Sequence, residues 1–264
     1  MLTEVKNQFK VAFTSIKYAL QREMLNKVTF ITNILFMILN NSCFIVQWII
    51  LYSLKENVGG YTLKEVLLLW GLAASTFGAS RFFFKDAFNL TEVINDGKLD
   101  VYLIQPKNVL ISCITSSVDV SAIGDMAYGY IMLFIYGISI KNFLLFTFFT
   151  ICGALTITAV SIIFSSLTFW FGKIDIVANT INSLMTSFAT YPDGIFKGVI
   201  KVLFYTIIPI GFINYLPVKI ISDFNICYLL MVIFVAILFI TIAFVVFYKG
   251  LKKYSSSNLM NVSV

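Results

Sequence analysis

Histidine is absent from this sequence, and with it the commonest general base and the commonest metal ligand. Cysteine is scarce: Cys43, Cys113, Cys152 and Cys227 stand singly in or beside apolar runs, so they read as buried, inert thiols rather than a metal or disulfide framework. Charge is low as well, since only 12% of residues are Asp, Glu, Lys or Arg, where a soluble domain carries about 25%. There is no Gly-x-x-x-x-Gly-Lys-Ser/Thr loop, no dinucleotide fingerprint, no Gly-x-Ser-x-Gly elbow and no cluster of metal ligands. Such a chain is not expected to be an enzyme, to hold a metal or a cofactor, or to hydrolyse a nucleotide unaided. Any work it does against a gradient must draw on a partner or on an ion gradient. The N-terminus is polar and basic with no small-residue cleavage site, so no removable signal peptide is expected.

What fills the sequence is oil. Hydrophobic residues make up 59% of the 264, and the mean hydropathy is +0.91. A hydrocarbon core of ~30 Å takes about 20 apolar residues per helix, which leaves room for six spans with short loops and no soluble domain. The expectation is an all-α integral membrane protein, one transmembrane domain over residues 1–264, with spans at 28–54, 63–84, 108–138, 143–171, 176–190 and 226–248. Residues 85–107 form the long loop of the first half. Pro209, Gly211 and Pro217 interrupt residues 191–222, which therefore read as short re-entrant or external helices, and a Ser/Asn-rich tail follows the last span.

Residues 4–22 place Val5, Phe9, Ala12, Phe13, Ile16 and Ala19 opposite Lys6, Lys10, Lys17 and Gln21. That is the pattern of an interfacial amphipathic helix, or failing that a surface helix. The net charge of +6 is spread over the ends of apolar runs instead of forming a patch, so it reports topology and not nucleic-acid binding. With the N-terminus inside, thirteen Lys and Arg fall on inner segments and six on outer ones. The positive-inside rule then puts both termini and the 85–107 loop in the cytoplasm, in the cell (plasma) membrane.

Three stretches carry candidate function. In the loop, Asn89 and Glu92 have capping-box spacing, Leu90, Val93 and Ile94 are apolar at helical spacing, and Gly97 suits a stop. This predicts a two-turn helix followed by an extended run to Ile104, as a docking element or as an ordinary loop. In the fifth span, Asn179, Ser183, Thr186 and Thr190 share one polar face, which serves either interhelical hydrogen bonding or a solute path. In the third, Ser117, Ser121, Asp125 and Gly129 fall at four-residue steps beside Asp119, so the stripe should face protein. Asp125 reads as a buried polar clamp with Arg81, Lys85 or Lys173, or else as part of a proton path. Gly71, Ala74, Ser75 and Gly78 make small-xxx-small pairs in the second span.

Gly97-Lys-Leu-Asp-Val-Tyr-Leu-Ile-Gln-Pro106, Ser121-Ala-Ile-Gly-Asp125, Tyr191-Pro192, Pro209 and Tyr215-Leu-Pro217 together resemble the landmarks of type-2 ATP-binding cassette permeases, in the six-span branch described as viologen-exporter-like. The resemblance covers nearly the whole chain and departs at Gln105, where relatives often carry Arg. It implies a connecting helix at the N-terminus and a coupling helix between spans 2 and 3, so that Leu90, Glu92, Val93 and Ile94 would meet a nucleotide-binding ATPase subunit. ATP and Mg would sit on that partner. It also implies a second permease, as a homo- or heterodimer, and export of an amphiphilic solute such as a drug, peptide or lipid past Asn179, Ser183 and Thr186. The alternative is a secondary transporter or channel using Asp119 and Asp125 as intramembrane carboxylates.

Overall fold

A computed structural model describes residues 2–254, all helix and connecting loop. The side chain of Val5 and the Ser/Asn-rich tail lie outside the described residues. In chain order the helices are α1 (Leu2–Glu23), α2 (Lys27–Leu54), α3 (Leu63–Phe88), α4 (Leu90–Asn95), α5 (Asp100–Leu103), α6 (Val109–Ile114) and α7 (Ser121–Gly137). They continue with α8 (Ile140–Ser166), α9 (Thr168–Phe171), α10 (Asp175–Ala189), a 3-10 turn (Asp193–Ile195), α11 (Val199–Leu203), a π turn (Gly211–Tyr215), α12 (Leu216–Ser222) and α13 (Ile226–Leu251).

Local chemistry starts the long helices where they start. Asn26 accepts from the Thr29 amide at the head of α2, and Asn225 does the same for Cys227 at the head of α13. Thr62 and Glu65 close a reciprocal capping box on α3. Among the described residues four stretches are long and apolar enough to cross a membrane: 27–54, 63–95, 140–171 and 226–251. The helices α7 and α10, with 17 and 15 residues, are shorter than that measure, so four of the six expected spans meet it.

The bundle is built round α3, whose apolar stretch is 72% buried against 17% for that of α2 and 22% for that of α13. Of the four long stretches α3 is the least apolar; the more apolar α2 and α13 can face lipid, whereas the small residues of α3 let α7 come close. Gly71 lies under Met132, Gly78 lies under the Ala122 carbonyl, and Gly129 of α7 sits against Ser75 and the Gly71 carbonyl.

Three expectations change. The third span is not one helix over 108–138, because the chain leaves helical geometry between α6 and α7. There Ser116 and Ser117 donate to Asp86 at 2.6 and 2.7 Å, and Asp119 accepts from the Ser121 amide and hydroxyl at 3.1 and 2.6 Å. Side chains that bond elsewhere compete with the helix ladder, and Ser117 drops out of the expected stripe. Residues after Gly97 are not extended to Ile104 but form α5. Asn89 makes no side-chain cap, and Glu92 accepts from Lys98 at 2.8 Å instead of reaching back to the Asn89 amide. The stop at Gly97 stands: its φ is +72°, and the Lys98 amide reaches back to the Val93 carbonyl at 3.0 Å.

One end of the bundle gathers Leu90, Ile94, Leu99, Leu110, Phe169 and Phe247 into a second core, distinct from the main one round α3. Gln8 fastens α1 there by accepting from the Asn108 amide at 2.9 Å. Ala12 and Ala19 of α1 are buried, whereas Phe9 and Phe13 are 72% and 70% exposed. An apolar face left open in this way is what an interfacial helix offers to lipid.

Candidate functional site

A cavity of about 510 Å³ lies between α2, α3, α7 and α10. Arg81, Ser121 and Asp125 line one end of it, Asn40 and Asn41 come next, and Phe44, Trp70, Trp48 and Tyr191 line the other end together with the polar Gln47 and Thr190. The rings are ordered: Phe44 stacks on Trp70 with centroids 5.7 Å apart, and Tyr191 meets Trp48 edge-on at 5.6 Å. A graded wall of charge, amide and aromatic ring suits reversible contact with an amphiphile.

Asp125 is held by an amide. The Nδ2 of buried Asn41 donates to its Oδ1 at 2.6 Å and to the Met37 carbonyl at 3.1 Å. None of the expected cations forms an ion pair with it among the described residues: Lys85 donates to the Val118 carbonyl at 3.2 Å, Arg81 lies over the Phe88 ring at 5.4 Å, and Lys173 lines another cleft. A neutral Asn sends no signal through a sequence, so this partner could not be read in advance. Asp119 is engaged with Ser121 and does not line the cavity. Replacing Asp125 by Leu should leave one Asn41 N–H unpaired and cost about 1–3 kcal/mol of stability. Asp125→Asn keeps an acceptor and should cost less than half of that. Denaturation of the detergent-solubilised protein separates the two, and equal losses would refute the clamp.

The polar face of α10 serves two places. Thr186, Ser187 and Thr190 line the cavity, Asn179 lines a smaller cleft of about 230 Å³ with Glu92, Asp96, Lys173 and Asp175, and Ser183 is exposed between them. Asn182, one residue off that face, is buried and donates to Ser161 Oγ at 3.3 Å, and Ser161 in turn donates to the Ala87 carbonyl at 3.0 Å.

The expected docking set is corrected. Leu90 and Ile94 are fully buried in the chain's own second core and Val93 is half-buried against it. Apolar residues at helical spacing found their groove within the chain, and of the four only Glu92 is exposed. Around it stand Asp96 and Lys98, with Lys98 paired to both acids at 2.8 and 2.9 Å.

At the other end of the bundle, Asp193 opens the 3-10 turn after α10 and was not among the expected site residues. It is buried and accepts from the Tyr61 hydroxyl at 2.9 Å and from Lys219 at 3.0 Å, with Lys201 at 3.8 Å. Burial and the charge of Asp193 hold the Tyr61 phenol above its ordinary range, so it remains a donor throughout the physiological range.

The family model described as ABC-2 family transporter protein matches residues 14–258. No curated protein and no solved structure matches the chain. That match runs from within α1 to past α13 and takes in the cavity and all four helices around it, so the chain belongs to the ABC-2 transporter family and is a type-2 ABC transporter permease of the membrane.

Proposed function

We propose that the chain is the membrane-spanning subunit of an ATP-driven exporter of the viologen-exporter-like branch, and that it carries an amphiphilic solute such as a drug, peptide or lipid outward. The single observation that carries this reading is the graded cavity, whose rim on α10 and the turn after it offers Thr186, Ser187 and Tyr191 to the outside of the chain. A second permease would close that rim, so that Ser183 and Thr186 line a shared path. In this reading α7 and α10 complete six crossings of the plasma membrane. At ~1.5 Å per residue the 17 residues of α7 reach about 25 Å, and its flanking turns add the rest. Both termini and the α4–α6 region lie in the cytoplasm, in keeping with the thirteen basic residues of the inner segments.

The ATPase subunit, carrying ATP and Mg, docks on α4 through its exposed face, Glu92 with Asp96 and Lys98, and with Val93 at the margin. The ion-driven alternative finds less support, because it needs paired carboxylates in one path and Asp119 stands apart from the cavity. The test is co-purification with the nucleotide-binding subunit. Glu92→Lys sets a second cation beside Lys98 and should reduce recovery of the ATPase at least ~10-fold, a change of about 1.4 kcal/mol, while the permease stays inserted. Undiminished recovery would refute docking at α4.

A further inference from the structure

The buried chain from Asn182 through Ser161 to Ala87 joins three elements that the proposed function sets apart: α10 on the solute path, α8, and the end of α3 that leads into α4. Its direction is set by chemistry. The single Ser161 proton goes to the Ala87 carbonyl at 3.0 Å, and its oxygen receives the Asn182 amide at 3.3 Å. Ala87 lies in the last turn of α3, where carbonyls have no intrahelical partner, so Ser161 fills a vacancy that the helix end creates. Just before it, Phe84 departs from helical geometry with φ −136° and ψ 39°. Residues 85–95 therefore form a short arm that is jointed to the rest of α3 and tied to α8.

The second observation is what this region leaves unmet. Asn182 Oδ1 and the hydroxyls of Ser165, Ser166 and Thr168 are buried without a hydrogen-bond partner among the described residues. Buried polar atoms without partners are costly and uncommon. Four together, at the end of α8, in α9 beside it and on α10 packed against α8, mark a region with unused hydrogen-bonding positions. Ser165 lies one turn beyond Ser161 on the same side of α8, about 6 Å along the axis at ~1.5 Å per residue. Packed helices move between discrete positions of this kind and not by continuous sliding.

We infer that Ser161 and Ser165 are two stations on α8 for the Asn182 side chain, and that α10 steps from the first to the second when the α4 arm moves. Asn182 is a positioning residue: it acts on the solute path through α10 and on the ATPase side through Ser161 and Ala87. This inference rests on the reading of the chain as a permease driven through α4. It adds the internal element by which that drive reaches the cavity.

The decisive variant is Ser165→Ala in the intact complex of permease and ATPase, reconstituted in lipid vesicles. In a contact that never shifts, removal of an unpartnered buried hydroxyl leaves stability equal or raised and leaves function alone. The two-station contact predicts an unchanged melting temperature together with ATP turnover at least ~10-fold lower, because the second position has lost its partner. Paired cysteines give an independent measure, with the four native cysteines alone as control. Asn182→Cys with Ser161→Cys should cross-link in the nucleotide-free complex, and Asn182→Cys with Ser165→Cys in the complex trapped with ATP and vanadate. Native turnover in Ser165→Ala, or a cross-linking pattern indifferent to nucleotide, would overturn the two stations while leaving the permease reading in place. Absence of ATP hydrolysis in the native complex would overturn both.

Discussion

Gly129→Ala is expected to lower the stability of the protein by about 3 kcal/mol, at the upper end of what overpacking costs, and to cut its accumulation in the membrane sharply. In an exposed helix the same change stabilises by about 1 kcal/mol, so the sign of the effect reports packing. A Cβ at Gly129 would run into the Ser75 hydroxyl and the backbone carbonyl of Gly71. The hydroxyl could turn aside, but the carbonyl cannot without bending α3. The whole of α7 must then stand off from α3, which uncovers Tyr128, Met132 and Leu133 and displaces Asp125 from the cavity. Adding Ser75→Gly should restore part of the loss, since the carbonyl obstacle remains. Thermal unfolding in detergent of the single and double variants measures both effects, and a Gly129→Ala protein as stable as the native one would show that the α3–α7 contact is looser than the structure has it.

Asp193→Ala should have the next largest effect. Removing one member of a buried ion pair costs about 3–5 kcal/mol when its partner is left buried. Here the partners are only partly buried, with the side chains of Lys201 and Lys219 48% and 45% exposed. Both can turn toward water, which brings the expected loss down to about 2–3 kcal/mol. Tyr61 cannot escape in the same way, because it is 4% exposed, and its hydroxyl would be left unpaired. Asp193→Asn keeps an acceptor for Tyr61 and should lose about 1 kcal/mol, as should Tyr61→Phe, which removes a single hydrogen bond. The consequence reaches the cavity, since Tyr191 packs on Trp48 two residues before Asp193. Asp193→Ala should therefore also reduce transport, measured in vesicles at a temperature where the variant remains folded. A stability loss no larger for Asp193→Ala than for Tyr61→Phe would mean that the two lysines contribute nothing to the clamp.

Much of this architecture is legible from residue order. Apolar runs, Gly97 at a left-handed turn and the small residues of α3 act locally or through helix periodicity, and each appears in the structure where the pattern placed it, whereas the capping box at Thr62 and Glu65 was not among the expectations and the one expected at Asn89 and Glu92 does not form. The break between α6 and α7 was hidden because Ser116 and Ser117 are tolerable in a helix until Asp86, thirty residues away, offers a stronger bond. Leu90 and Ile94 were misassigned for a related reason: helical spacing records that a face is apolar, not whether its groove belongs to a partner or to the same chain.

The sequence by itself therefore determined that this is a helical membrane protein and where α2, α3 and α13 begin, because those properties depend on burial and on neighbours within a few residues. Only the tertiary structure decided that Asn41 holds Asp125, that Asp193 joins Tyr61 to Lys219, and that Ser161 connects Asn182 to Ala87. A hydrogen bond across 84 or 132 positions of chain depends on where helix packing delivers two side chains, and no local pattern encodes that meeting.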